Sequence, residues 1–220
     1  MSATDLAGLG PGRQGDGWGR LSPRALDRLE QVALVALFAW LVWRLIPGSL
    51  RDAPPYLLVL IASEATVIVF ALLRRPAGCL VVSPLDWMVA FAGTLTALLV
   101  ENGSGTFMPG LGSMVMMAGL FVHTGAKLTL RRSFGVVAAD RGLKTDGLYA
   151  IVRHPMYMGY LITHAGFMLA VPSLWNLAVY GVAWACLARR MAVEERVLSG
   201  NPAFAAYRAK VRWRLLPGIW

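Results

Sequence analysis

The sequence predicts an all-α, multi-pass integral membrane bundle of about six transmembrane helices, and three observations support this prediction. Hydrophobic residues make up 57% of the 220 residues. Charged residues make up 15%, whereas soluble domains average about 25%. Six apolar stretches follow one another, and nineteen of the 21 Lys and Arg residues lie on one side of the topology they define. This composition excludes a disordered chain and argues against a soluble globular protein.

The N-terminal residues 1–22 contain six glycines and little apolar matter, so we expect a mobile tail. The N-terminal transmembrane helices are expected within residues 23–130. The apolar stretches cover residues 29–46, 56–73, 85–100, 111–130, 156–171 and 174–191. A spanning helix needs about 17–25 residues, so the third and fifth stretches are short. The last two form a tight helical hairpin, and five helices cross instead of six if that hairpin is shallow.

The positive charges are distributed as the positive-inside rule predicts for a membrane protein. The loops on the opposite side of the membrane contain one basic residue, Arg51. Arg44 lies in the first helix, near the end that reaches this opposite side. Both termini and the longest loop are therefore predicted to be cytoplasmic. Membrane topology therefore explains the net charge of +9, and no nucleic-acid partner is needed to explain it.

Polar residues also occur inside the apolar stretches. Glu64 is either a substrate or proton site, or a protonated acid bonded to a neighbouring helix. Lys127 is expected to extend its amino group toward the membrane surface. His123 and His164 are expected to be packed, hydrogen-bonded side chains, with a site role as the alternative. In the same region Gly112, Gly119 and Ala126 recur every seven residues, which predicts close packing against another helix.

The densest group of polar residues lies in the longest cytoplasmic loop and runs into the fifth helix, over residues 141–159. Pro155 is expected in the first helical turn, because its missing N–H costs nothing there. The free N–H groups of that turn suit a carboxylate or a ribose oxygen. Tyrosine rings nearby offer faces to a cation or an adenine. The alternative interpretation is an interfacial belt of Arg, His and Tyr at a helix start.

A second polar group lies where the sixth helix leaves the membrane. Arg190 and Glu194 are four residues apart on one helical face, and alone they would form a solvated ion pair. A short amphipathic helix follows, with Phe204, Tyr207 and Val211 on one side and basic residues between them. We expect this C-terminal arm to lie at the membrane surface over the loop.

The two polar groups together resemble a known signature. Gly-x-Tyr-x-x-x-Arg-His-Pro-x-Tyr-x-Gly, from Gly147 to Gly159, resembles that of the isoprenylcysteine carboxyl methyltransferase family, whose members are integral membrane enzymes related to phospholipid N-methyltransferases. After a helical hairpin the match continues with Glu194-Glu195-x-x-Leu198, then Tyr207 and Pro217. Order and spacing agree over residues 141–217. The resemblance implies that residues 131–220 form a methyltransferase core, with a cofactor-binding loop, the hairpin and the arm.

The resemblance implies S-adenosylmethionine as the methyl donor and a lipophilic acceptor, most simply an isoprenylcysteine-type carboxylate. Arg190 is expected to meet the substrate carboxylate, and Glu195 aligns with the family's second acid, a base to test if the acceptor must lose a proton. No metal is implied. The residues that the resemblance assigns to the cofactor are Arg141, Gly142, Leu143, Lys144, Tyr149, Arg153, His154, Pro155, Met156, Tyr157 and Glu194.

Several alternatives stay open on the sequence. The acceptor could be a phospholipid amine or a small thiol, because these would share the cofactor site. A related fold could use NADPH to reduce a lipid double bond. A non-enzymatic transporter or membrane scaffold is the alternative from another class, and Glu64 is the residue that favours it. The concentration of polar residues at one cytoplasmic face argues against a transport path along the midplane.

Overall fold

The computed structural model describes residues 22–47, 55–101 and 106–220. The tail predicted for residues 1–22 therefore lies outside the described residues, apart from Ser22, and so does Arg51. Within these ranges the regular structure is almost entirely helical, which confirms the all-α class. The helices are α1 Pro23–Leu45, α2 Pro55–Leu73, α3 Pro84–Leu95, α4 Pro109–Leu130, α5 Pro155–Ala170, α6 Leu174–Leu198 and α7 Pro202–Lys210.

The helix starts follow from local sequence. Every one of these described helices except α6 begins with proline, which lacks the N–H that the first turn cannot satisfy. The helix α6 instead uses Ser173, whose side chain accepts a hydrogen bond from the Asn176 amide at 3.0 Å. Pro155 opens α5 as predicted. Because α6 continues to Leu198, both acids at positions 194 and 195 lie on this helix.

The apolar stretches correspond to helices of unequal length. The third stretch divides into α3 and the 3₁₀ turn Thr96–Leu99, and α5 is only 16 residues long. Among the described residues, one helical segment, Pro109–Ser133, is long and apolar enough to cross a membrane, and Leu57–Leu73 is a shorter apolar helix. A membrane crossing by each of the six helices therefore stays a prediction.

The predicted small-residue seam is confirmed between α4 and α5. A Cβ atom on Gly112 would lie 2.6 Å from the Gly166 carbonyl oxygen, and one on Gly119 would lie 2.5 Å from the Thr163 amide nitrogen. Such distances leave no room for a side chain, so the two backbones touch. This contact fixes α5, and hence the start of α5, against α4.

We expect Gly166→Ala to lower the thermal stability of the detergent-solubilised protein. The added Cβ would lie 2.5 Å from the Met116 amide nitrogen, and overpacking of this kind costs about 1–3 kcal/mol. Gly181→Ala is the matched control, because nothing lies within 4 Å of its Cβ position; that change in helix α6 should be neutral or stabilise by up to about 1 kcal/mol. Equal melting temperatures for Gly166→Ala and the wild type would contradict the tight seam.

The polar residues of the helices are paired differently from the prediction. Lys127 does not extend to the surface: it is fully buried, and its Nζ lies 2.9 Å from Glu64 Oε1 and 3.1 Å from Ser63 Oγ. Glu64 is thus bonded to a neighbouring helix, as one interpretation held, but the partner is an ammonium group. This ion pair accounts for both charges without a substrate.

The two histidines are buried against aromatic rings, as predicted. The His123 ring lies 4.1 Å from the Tyr160 ring and the His164 ring 4.1 Å from the Tyr180 ring, centroid to centroid. The predicted hydrogen bonding is wrong within the described residues: neither ring makes a hydrogen bond, and His123 Nε2 and His164 Nδ1 are buried without a partner.

A small antiparallel ribbon, which the all-α prediction lacked, joins the two halves of the chain. The strands β1 Cys79–Leu80 and β2 Ala139–Asp140 pair Cys79 with Asp140 and Leu80 with Ala139. The pairing continues with a hydrogen bond from the Val81 amide to the Ala138 carbonyl at 3.1 Å. The connection between α2 and α3 therefore lies against the segment that leads into the polar loop.

Candidate functional site

A hollow of about 820 Å³, which includes space open to solvent, lies at the end of the bundle formed by the loop before α5 and the end of α6. All of the predicted cofactor residues except Pro155 line it. They are Arg141, Gly142, Leu143, Lys144, Tyr149, Arg153, His154, Met156, Tyr157 and Glu194.

Glu194 connects the loop with α6 inside this hollow. The Tyr157 hydroxyl donates a hydrogen bond to Glu194 Oε1 at 2.5 Å, and Arg190 Nε lies 3.4 Å from the same oxygen. The other oxygen, Oε2, lies 3.8 Å from His154 Nδ1. The Glu194 side chain keeps 23% of its surface exposed, so a carboxylate held from behind is presented to the hollow.

Glu195 does not line the hollow and ties α6 to two other segments, the start of α5 and the chain after α7. Its Oε1 lies 3.2 Å from His154 Nε2 and 3.4 Å from Arg153 Nε, and its Oε2 accepts a hydrogen bond from Arg214 Nη2 at 2.9 Å. Burial alone would raise the pKa of Glu195, but the His154 hydrogen bond and the charges of His154, Arg153 and Arg214 lower it to about 2. A carboxylate that is paired with two arginines and does not line the hollow is poorly placed to act as a base, so the geometry argues against the catalytic role predicted for Glu195.

Arg190 is also placed differently from the prediction. It is buried and does not line the hollow, so the solvated ion pair is excluded. Its Nη2 donates to the Gly135 carbonyl at 3.1 Å, and its Cζ lies 5.5 Å from the centre of the Tyr157 ring. Arg190 thus supports the Tyr157–Glu194 pair from behind and ties α6 to the segment at Gly135.

Arg141 lines the hollow, but its guanidinium group points into the protein. Nη2 lies 2.8 Å from Asp27 Oδ1 and 2.5 Å from Glu30 Oε2. The predicted cofactor contact of this side chain is therefore corrected to a buried ion pair with α1. The next residue, Gly142, has φ of 98°, a conformation that favours glycine, and turns the chain along the wall of the hollow.

The amphipathic helix α7 covers the loop as predicted. Tyr207 Oη donates a hydrogen bond to the Tyr149 carbonyl at 2.8 Å, and Phe204, Tyr207 and Val211 pack with Leu143 and Leu198. The chain after α7 pairs with the start of α5, because the His154 amide donates to the Arg214 carbonyl at 2.8 Å. This arm closes one side of the hollow.

Sequence reasoning missed part of the lining. The missed residues come from the segment before the polar loop, from the end of α6 and from α7. They are Leu130, Ser133, Gly135, Val137, Ala138, Ala139, Leu198, Phe204 and Tyr207. The amphipathic pattern of α7 already placed Phe204 and Tyr207 over the loop, whereas the small and apolar residues 133–139 carry no chemical signal of their own.

Comparison with known proteins agrees with this geometry. Residues 104–201 match the family described as phospholipid methyltransferase. The chain is also 30% identical over 101 residues to Protein-S-isoprenylcysteine O-methyltransferase of Schizosaccharomyces pombe (strain 972 / ATCC 24843), and this alignment covers 42% of this chain and 43% of the relative. The chain thus spans less than half the length of that relative. These matches confirm the resemblance to the isoprenylcysteine carboxyl methyltransferase family, and residues 104–201, which the family model covers, contain the loop and Glu194.

Proposed function

We propose that the chain is a membrane methyltransferase that uses S-adenosylmethionine and methylates an isoprenylcysteine-type carboxylate. The observation that carries this proposal is the convergence of the 141–157 loop and Glu194 on one hollow. That convergence lies within the segment that matches methyltransferases.

The residues around the hollow suit the parts of the donor. The Glu194 carboxylate can accept two hydrogen bonds from ribose hydroxyl groups, and the Lys144 ammonium suits a carboxylate. The aromatic side chains of Tyr149, Phe204 and Tyr207 supply apolar area for a purine ring. When bound, S-adenosylmethionine supplies a methyl group activated by a sulfonium charge.

The chain's own residues position and shield the reacting groups. Tyr157 and Arg190 hold Glu194 in one orientation, and α7 closes the hollow with apolar side chains. Positioning supplies much of the rate of a displacement reaction. Exclusion of water strengthens every electrostatic contact inside the site.

The state of the acids and bases favours a carboxylate acceptor over an amine or a thiol. An amine or thiol must lose a proton, and the groups considered for that step are Glu195 and His154. Glu195 is paired with Arg153 and Arg214, and both ring nitrogens of His154 lie beside carboxylates, with Nε2 3.2 Å from Glu195 and Nδ1 3.8 Å from Glu194. A carboxylate acceptor needs no general base.

A membrane location agrees with the surface of the helices. Large apolar side chains are exposed along α1, α2, α4 and α6, among them Trp43, Leu72, Met114, Phe121 and Val182. Large apolar side chains exposed on four helices suit lipid rather than water. The cationic residues of the loop and the arm would then lie in the cytoplasm, which supports a multi-pass topology with both termini on that side.

Two measurements test this function. In a titration of the purified protein, S-adenosylhomocysteine should bind and NADPH should not; the reverse would support a lipid reductase and overturn the proposal, and binding of neither would favour a scaffold. The protein is then incubated with radiolabelled donor and a prenylated cysteine, phosphatidylethanolamine or a small thiol. A carboxyl methyl ester releases its label as volatile methanol in alkali, whereas label in N-methyl or S-methyl products stays bound and would reject the carboxylate acceptor.

A further inference from the structure

A buried ion cluster joins the first two helices, which lie outside the segment that matches methyltransferases, to the polar loop inside it. Asp27 and Glu30 of α1 meet Arg74, which follows α2, and Arg141 of the polar loop. Arg74 Nη2 lies 2.9 Å from Asp27 Oδ1, and Arg74 Nη1 lies 3.0 Å from Glu30 Oε2. With the two contacts of Arg141, each carboxylate meets both guanidinium groups. The cluster contains two carboxylates and two guanidinium groups, so its charges balance.

Glu30 also binds the backbone of residues 135–142, here called the wall because it lines one side of the hollow. Its Oε1 accepts hydrogen bonds from the amides of Val136 and Val137, each at 2.9 Å. The Glu30 side chain is fully buried. Gly135 and Val137 of this segment line the hollow. One carboxylate therefore holds the wall at two consecutive amides and pairs with two arginines.

Other contacts hold the same wall from the same side. Asp27 Oδ2 accepts a weak hydrogen bond from the Ala77 amide at 3.4 Å, and the ribbon of β1 and β2 begins two residues later. Arg190 reaches the Gly135 carbonyl from α6. Glu30 is the member of this group that contacts the wall's amides directly and carries a charge.

We infer that Glu30 is a positioning residue, which fixes the wall at residues 135–142 and thereby sets the affinity for the donor nucleoside. This inference rests on the proposed function. A buried carboxylate with two amide donors and two guanidinium partners has one favourable orientation, since any movement leaves charges unpaired. The N-terminal helix thus takes part in the site through the wall, without contacting the ligand.

The test compares Glu30→Gln with two other variants. The neutral side-chain amide of Glu30→Gln would face two guanidinium groups with one carboxylate left between them, so the wall should shift. We expect the dissociation constant of S-adenosylhomocysteine to rise about tenfold, with faster hydrogen exchange at the Val136 and Val137 amides. The double variant Glu30→Gln, Arg74→Gln restores the charge balance and should recover most of the affinity. If the single variant does not fold, the double variant is compared with the wild type in its place.

Asp86→Asn is the matched control, because it breaks another ion pair between helices, with Arg189 Nη2 at 2.7 Å, away from the wall. It should leave the affinity and the exchange of the wall amides unchanged. The inference is overturned if Glu30→Gln loses only thermal stability while its affinity and wall exchange match those of the wild type, or if Asp86→Asn weakens binding equally. A wild type that does not bind S-adenosylhomocysteine would instead reject the proposed function, and the exchange data would still test the wall.

Discussion

Glu194→Ala should weaken binding of S-adenosylhomocysteine about 100-fold, or about 2.7 kcal/mol, and leave a folded protein. The Glu194 carboxylate faces the hollow and is held by Tyr157 and Arg190. Hydrogen bonds to a charged group contribute about 1.5–3 kcal/mol each, so the loss of a single ribose contact is enough to produce this effect. Isothermal titration measures it, and an unchanged melting temperature of the ligand-free protein shows that the fold persists.

Two further variants separate the charge of Glu194 from its position. Glu194→Gln keeps the shape and should lose part of the affinity, because an amide oxygen accepts less strongly than a carboxylate. Tyr157→Phe removes the hydrogen bond that orients Glu194 and should cost less than either change at position 194. Glu101→Ala is the control, since this exposed residue bonds through its backbone to Asn176 at the start of α6, far from the hollow. Wild-type affinity in Glu194→Ala would reject this binding site.

The sequence predicts those parts of the site whose residues lie close together along the chain. Proline at the first helical position and the amphipathic pattern after Pro202 predicted where α5 and α7 begin. The spacing of the loop motif and of Glu194 predicted groups that the fold brings within 2.5–3.8 Å of one another. These predictions succeeded because each depends on helix geometry and on a pattern of residues with fixed spacing.

The ion pairs were beyond the sequence because their partners are far apart along the chain. Glu30 pairs with Arg141, 111 positions away, and Lys127 with Glu64, 63 positions away. An acidic pair at the start of a helix has the appearance of a solvated surface, and a lysine near a helix end has the appearance of a surface anchor. Only the packing of α1, α2 and α4 shows that these charges are buried.

The neighbouring acids Glu194 and Glu195 show a second limit of prediction from the sequence. Successive residues on a helix point about 100° apart, so Glu194 and Glu195 must face different surroundings. The sequence cannot say which surroundings each acid meets. In the fold Glu194 faces the hollow, and Glu195 faces Arg153 and Arg214.

Arg190→Ala should lower turnover about 100-fold, equivalent to about 2.7 kcal/mol in the barrier, and should also weaken donor binding. Arg190 was expected from the resemblance to act on the acceptor carboxylate alone. In the structure its Nε lies 3.4 Å from Glu194 and its Nη2 holds the Gly135 carbonyl. Removal of the guanidinium therefore disturbs both the acid that faces the hollow and the wall opposite. Turnover and donor affinity are measured on the same preparation.

The adjacent residue provides the control for this prediction. Arg189 has a side chain that is 47% exposed and pairs with Asp86 of α3, so Arg189→Ala should keep turnover and donor affinity within about twofold of the wild type. Arg190→Lys retains the positive charge but loses the planar fork, and should fall between the wild type and Arg190→Ala. A donor affinity that is unchanged in Arg190→Ala, with only the KM for the acceptor raised, would restore the original role of a substrate clamp. Equal loss in both alanine variants would show that the charge of this helix end matters and that the position of Arg190 does not.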